Sequence, residues 1–158
     1  MFIKQISAFV ENRPGRIAEI TEILAEHEID LRALSVADTT DFGILRIIVD
    51  DPDKVASLLR ENRVTVTLTD VLAIRLPDKP GALSNMLRLL ADNCVSVEYL
   101  YAFVTPVEPG AACVVIRADD ISKAENILQE NGYTTNYFHA NVGSYYGRED
   151  TFAELYGF

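Results

Sequence analysis

The 158 residues are 49 % hydrophobic and 24 % charged, a balance that excludes both a disordered acidic chain and a membrane-embedded one. With 14 Lys and Arg against 24 Asp and Glu, the formal net charge is −10. That charge repels phosphate backbones and anionic lipid heads, so neither nucleic acid nor membrane is an expected partner.

Lys4 and Gln5 interrupt the apolar run a signal segment needs, and no later stretch approaches the ~18 apolar residues of a membrane span. A cytoplasmic location is expected. Cys94 and Cys113 form no C-x-x-C and have no neighbouring histidine, so they read as small apolar residues in a reducing compartment.

Ile6, Ala8 and Val10 alternate with Gln5, Ser7, Phe9 and Glu11, the period of a half-buried strand. Pro14-Gly15 follows as a turn. Ile17, Ile20, Ile23 and Leu24 then mark one face of a helix over Gly15 to His27. β-Branched and aromatic residues predict strands over Ile29 to Ala37 and Ile44 to Val49. Asp50-Asp51-Pro52 starts a second helix, with a capping carboxylate before a proline whose missing N–H costs nothing there. Its apolar face is Val55, Leu58 and Leu59, and a strand over Val64 to Thr69 closes the unit.

The chain then repeats itself. Pro14-Gly15 recurs 66 residues later as Pro80-Gly81, and the same offset carries Leu24 onto Leu90 and Leu34 onto Leu100. Leu72, Ile74 and Leu76 supply the strand, and Leu83, Met86, Leu89 and Leu90 the face of a helix over Ala82 to Asn93. After predicted strand Val95 to Thr105, three extra residues near Pro106 to Pro109 raise the offset to 69, which maps Asp50-Asp51 onto Asp119-Asp120. Strand Ala112 to Arg117, a helix with Ala124, Ile127 and Leu128 ending near Asn131-Gly132, and strand Tyr133 to Phe138 complete the second copy.

The order strand, helix, strand, strand, helix, strand, performed twice, is an α+β fold of two ferredoxin-like βαββαβ units with antiparallel sheets. Each unit has a sheet face without helices that needs a partner, and the second copy is the obvious one, giving one pseudo-symmetric module. The expected division is residues 1–69, 70–142, and an aromatic extension 143–158 carrying Tyr145, Tyr146, Phe152, Tyr156 and Phe158. That extension is expected to pack on a sheet face of its own chain or on another subunit.

Glu11-Asn12-Arg13-Pro14-Gly15-Arg16-Ile17 and Pro77-Asp78-Lys79-Pro80-Gly81-Ala82-Leu83 resemble the polar-basic-Pro-Gly-x-aliphatic turn of tandem ACT-domain proteins. The resemblance covers about residues 2 to 140. It implies two units that pair, often side by side through their second strands, and bind an amino acid or similar small zwitterion at the junction. In such pairs the ligand lies between the first turn of one unit and the second strand of the other. Carried over, the ligand-binding residues are Asn12, Arg13, Pro14, Gly15 and Arg16, with Asp78, Lys79, Pro80, Gly81 and Ala82 in the second turn. The second strands contribute Asp30, Leu31 and Arg32, and Val97, Glu98 and Tyr99.

The chemistry of those positions suits a zwitterion. A helix N-terminus favours a carboxylate, glycine lets a ligand approach the backbone, and Arg13 or Lys79 adds charge. Asp78, Asp30 or Glu98 can accept from an ammonium group. Pro-Gly also serves folding alone at a strand-to-helix turn, and the two turns differ in their polar residues. His27 and His139 lie in no metal-binding spacing, the Asp50, Asp51 and Asp53 group coincides with a helix start, and no phosphate-loop, dinucleotide or nucleophile motif occurs. No catalytic residue, metal or cofactor is expected. The function implied is a non-catalytic regulatory or sensor protein, expected to form a homo-oligomer such as a dimer. The alternative is a scaffold subunit docking onto a metabolic enzyme without a ligand of its own.

Overall fold

A computed structural model describes residues 2–38 and 41–136. Ten elements follow in order: β1 (Ile3–Glu11), α1 (Arg16–Glu26), β2 (Ala33–Asp38), β3 (Phe42–Ile48), α2 (Pro52–Glu61), β4 (Val66–Pro77), α3 (Ala82–Asp92), β5 (Val97–Ala102), β6 (Ala111–Ala118) and α4 (Ile121–Glu130). The six strands run in the order β2-β3-β1-β4-β6-β5, every neighbouring pair antiparallel. This is the α+β fold of two ferredoxin-like units.

The helices begin where the carboxylates predict. Asp51 and Asp120 each accept from the amide three residues on, at 3.2 Å from Lys54 and 3.1 Å from Lys123. They end in the left-handed region at Glu28, Arg63, Cys94 and Gly132, which lets the following amide reach back to the last turn. This closure explains a difference in β2, which begins at Ala33 rather than Ile29. Ile29 still bonds Leu24 of α1 through its N–H, at 2.9 Å. β5 is likewise shorter than Val95 to Thr105. Ile17 and Leu83, placed on the buried helix faces by periodicity, are each 38 % exposed, in the first turns of α1 and α3.

The strands predicted on either side of Thr69 are one strand. β4 pairs with β1 through Val66 to Val71 and with β6 from Leu72 to Pro77, so a single strand belongs to both repeats. Of the strand predicted over Tyr133 to Phe138, Asn136 forms a bridge to Ala73. Phe138, His139 and the extension Gly143 to Phe158 lie outside the described residues.

Alternation gives each strand two destinations. In the first repeat Ile6, Ala8, Val10, Leu45 and Ile47 pack beneath Ile20 and Leu24 of α1 and Val55 and Leu59 of α2. In the second, Leu72, Ile74, Val114 and Ile116 pack beneath Met86 and Leu90 of α3 and Leu128 of α4. The faces turned away from the helices meet each other. Ile3, Ala33 and Ile48 pack there with Val71, Ala73, Tyr101, Cys113 and Val115. Each repeat thus covers the apolar face that the other could not leave in water.

Candidate functional site

Both Pro-Gly pairs occupy the centre of a type II turn, whose third position demands a positive φ. Gly15 has φ 86° and ψ −9°, Gly81 φ 89° and ψ −16°. Arg16 donates its N–H to Arg13 and Ala82 to Lys79, each at 3.3 Å. Each turn is tied to the strand-two/strand-three connection of its own repeat, through Asn12 N–H to Asp41 at 3.0 Å and Asp78 N–H to Gly110 at 2.9 Å. The glycines are also the helix N-caps and offer no side-chain acceptor to the first helical turn.

The two turns diverge in electrostatics. At the first, Arg13 holds Glu19 through two hydrogen bonds, at 3.2 and 3.1 Å, while Arg16 pairs with Glu11 at 3.0 Å and Glu19 at 3.2 Å. Hydrogen bonds from Arg13 and then Arg16 hold the Glu19 carboxyl below its ordinary range. Both guanidinium groups are therefore engaged within the chain. At the second turn the counterparts of Glu11, Arg16 and Glu19 are Pro77, Ala82 and Asn85, so this network cannot form. Among the described residues no carboxylate forms an ion pair with Lys79.

The residues just before the three-residue insertion join the repeats. Val104 and Thr105 donate their N–H groups to the carbonyl of Arg32, at 2.9 and 3.2 Å, and Ala33 bridges Phe103. The segment then folds back over its own sheet, with Val107 against the shared cluster and Glu108 paired with Arg75. A groove of about 400 Å³ lies along it, lined by Asp78 of the second turn, Ala102 to Thr105, and Gly110 to Val114.

The structure thus brings Asp78 beside the segment that also holds Leu31 and Arg32. Asp30 points elsewhere, lining a groove of about 270 Å³ with His27, Asp50, Asp51 and Lys54. Neither Asp30 nor Leu31 is in a strand, since both precede β2. Val97 and Glu98 lie at the opposite end of β5 from the Phe103 bridge, where Glu98 pairs with Arg117 at 3.4 Å. His27 bonds the carbonyl of Ile23 through Nδ1 at 2.9 Å.

Sequence reasoning carried Tyr99 over but missed Gln5 and Arg46, the polar residues that meet it between the repeats. Gln5 is fully buried and donates to Ser7 and to the Tyr99 hydroxyl, each at 2.9 Å, while the Tyr101 hydroxyl donates to its carbonyl at 2.6 Å. Burial, then the neighbouring Tyr99, pushes the Tyr101 phenol upward, so it stays a donor. Arg46 stacks over the Tyr99 ring, 3.8 Å from its centroid. The alternation of Tyr99, Tyr101 and Phe103 was the visible signal. Its partner signal was a glutamine on the strand face opposite Ile6 and Ala8. Among the described residues no group of three or more His, Cys, Asp or Glu could hold a metal ion, and no helix is long and apolar enough to cross a membrane.

The family model for the ACT domain pair matches residues 1–139. The chain is similar to a protein of solved structure from Bacteroides thetaiotaomicron, at 43 % identity and a TM-score of 0.79, over 85 % of this chain and 92 % of that one. It shares its fold with the ligand-free regulatory subunit of aspartate kinase from Thermus thermophilus, at 16 % identity and a TM-score of 0.59, over 80 % and 90 % of the two chains. The corresponding subunit from Thermus flavus gives 14 % identity and a TM-score of 0.55, over 82 % and 93 %. No curated protein sequence matches the chain.

Proposed function

Because the chain belongs to the ACT domain pair family, we propose that it is a non-catalytic regulatory module that binds an amino acid where its two repeats meet. The observation that carries this reading is the second turn. Asp78 lines the groove formed by the same segment that clasps Leu31 and Arg32 of the first repeat. The groove's lining belongs to the second repeat, and the bonds of Val104 and Thr105 to Leu31 and Arg32 set it against the first, which supports the turn-to-neighbouring-repeat placement that the family resemblance implies. Lys79 supplies a cation without an ion-pair partner among the described residues, Gly81 leaves room beside it, and the N-terminus of α3 supplies unpaired amides for a carboxylate. Asp78 supplies the acceptor for an ammonium group.

The first turn, with Asn12, Arg13, Pro14, Gly15 and Arg16, is the weaker candidate, because a ligand carboxylate there must displace Glu11 or Glu19. One site per chain is therefore proposed, at the second turn. The Thermus proteins are regulatory subunits of an amino-acid kinase, so the partner proposed is a metabolic enzyme acting on an amino acid, in the cytoplasm. Ligand acts on such a partner only through differential affinity for two arrangements of the module.

Calorimetric titration of the purified chain with the twenty amino acids is the test. Saturable binding of one of them is expected, weakened about tenfold or more by Lys79→Gln and little changed by Arg13→Gln. Absence of binding at millimolar concentration, or indifference to Lys79→Gln, overturns the assignment.

A further inference from the structure

We infer that the helix-free face of the first repeat carries a second, separate ligand site, built around Arg46 and suited to an apolar carboxylate. Register places the residues. On β1 and β3, Ser7 lies opposite Arg46, Phe9 opposite Ile44 and Glu11 opposite Phe42. On β2, Ser35 lies opposite Arg46 and Ala37 opposite Ile44. All of these belong to the face opposite Ala8, Val10, Leu45 and Ile47, which are buried beneath α1 and α2.

Arg46 has the chemistry to receive an anion. In a chain with 24 acidic and 14 basic residues, Arg13, Arg16, Arg32, Arg75, Arg88 and Arg117 have carboxylate partners, whereas Arg46, like Arg60 and Arg63, has none among the described residues. The Arg46 guanidinium instead lies over the Tyr99 ring at 3.8 Å. A guanidinium held by its face keeps its in-plane N–H groups available, and a carboxylate matches that fork with two bonds. Ser7, opposite Arg46, accepts from Gln5 and keeps its hydroxyl hydrogen as a further donor.

Beyond the arginine the face is apolar and partly exposed. Phe9 is 49 % and Phe42 55 % exposed, with Ile44 half-buried between them. In the second repeat the same region is covered by the chain itself. The counterpart of Phe9 is Arg75, and the inserted segment lays Val107 against the sheet and the Glu108 carboxylate on Arg75. An apolar group joined to a carboxylate thus occupies the second repeat's face, and the first repeat offers a cation and an apolar floor with no such insertion. The ligand class that fits is a carboxylate on an aromatic or branched apolar body, with no requirement for an ammonium group.

The test is titration of the full chain with 3-phenylpropanoate, 3-phenylpropanamide and acetate, read by calorimetry and by the near-ultraviolet dichroism of the tyrosines. Saturable binding of 3-phenylpropanoate is expected, with the amide and acetate each at least about tenfold weaker. Arg46→Gln is expected to weaken binding by a similar factor, Arg46→Lys by less, and Phe42→Ser to narrow the gap between phenylpropanoate and acetate. Lys79→Gln is expected to leave this binding intact, which separates the site from the one at the second turn. Equal binding of amide and carboxylate, indifference to Arg46→Gln, loss of binding on Lys79→Gln, or no saturable binding overturns the inference.

Discussion

Gln5 has both amide hydrogens and its carbonyl engaged at zero exposure. A buried polar group is tolerated only when satisfied, and removing one partner leaves the other with its full desolvation cost. Gln5→Leu is therefore expected to destabilise the protein by about 1–3 kcal/mol, chiefly through the stranded Tyr101 hydroxyl. Tyr101→Phe alone strands the carbonyl of Gln5. The double variant is expected to be more stable than the sum of the two single losses predicts, because each removes the group the other leaves unpaired. Urea denaturation of the four proteins checks this.

At the scale of elements, the capping aspartates and the strand-to-helix turns were legible because both are local. Asp51 and Asp120 sit in near-identical geometry, φ −125° and −127°, and each satisfies an amide that α2 or α4 would otherwise leave open. Asp51→Ala and Asp120→Ala are each expected to cost about 1 kcal/mol. The two losses should add, since the sites lie in different repeats with no shared partner. Denaturant midpoints of the two variants and their combination measure it. The insertion near Pro106 was visible as a change of offset from 66 to 69. The clasp that Val104 and Thr105, just before it, make on Arg32 was not, because nothing in those residues names the carbonyls they bond.

At the scale of the molecule, the repeats are joined by the shared strand β4, by the bonds of Val104 and Thr105 to Arg32, and by the contact of their helix-free faces. Cys113 lies inside that contact at 3 % exposure. Burial, with Glu108 second, pushes its thiol up to about 12. A raised thiol pKa means little thiolate at neutral pH, so both access and chemistry protect it. Cys94, just past the end of α3, is exposed. One thiol is expected to react promptly with a disulfide reagent in the native protein, and Cys113 only as the two faces separate. Reaction of both thiols at one rate in Cys94-containing protein, or prompt labelling of a Cys94→Ala variant, contradicts this packing.

The sequence by itself determined the repeat, the α+β class, the order of elements, the helix caps and the two glycine turns. Each follows from spacings of a few residues, in which periodicity, capping and backbone freedom act without reference to the rest of the chain. Tertiary structure decided that the strands flanking Thr69 are continuous, that Asp30 and Val97 face away from the second turn, and that Gln5, Arg46, Tyr99 and Tyr101 form one polar group. Those contacts join residues as far apart as 94 and 96 positions. Alternation assigns a residue to a face, but which face meets which depends on how two sheets pack, and no local pattern carries that information.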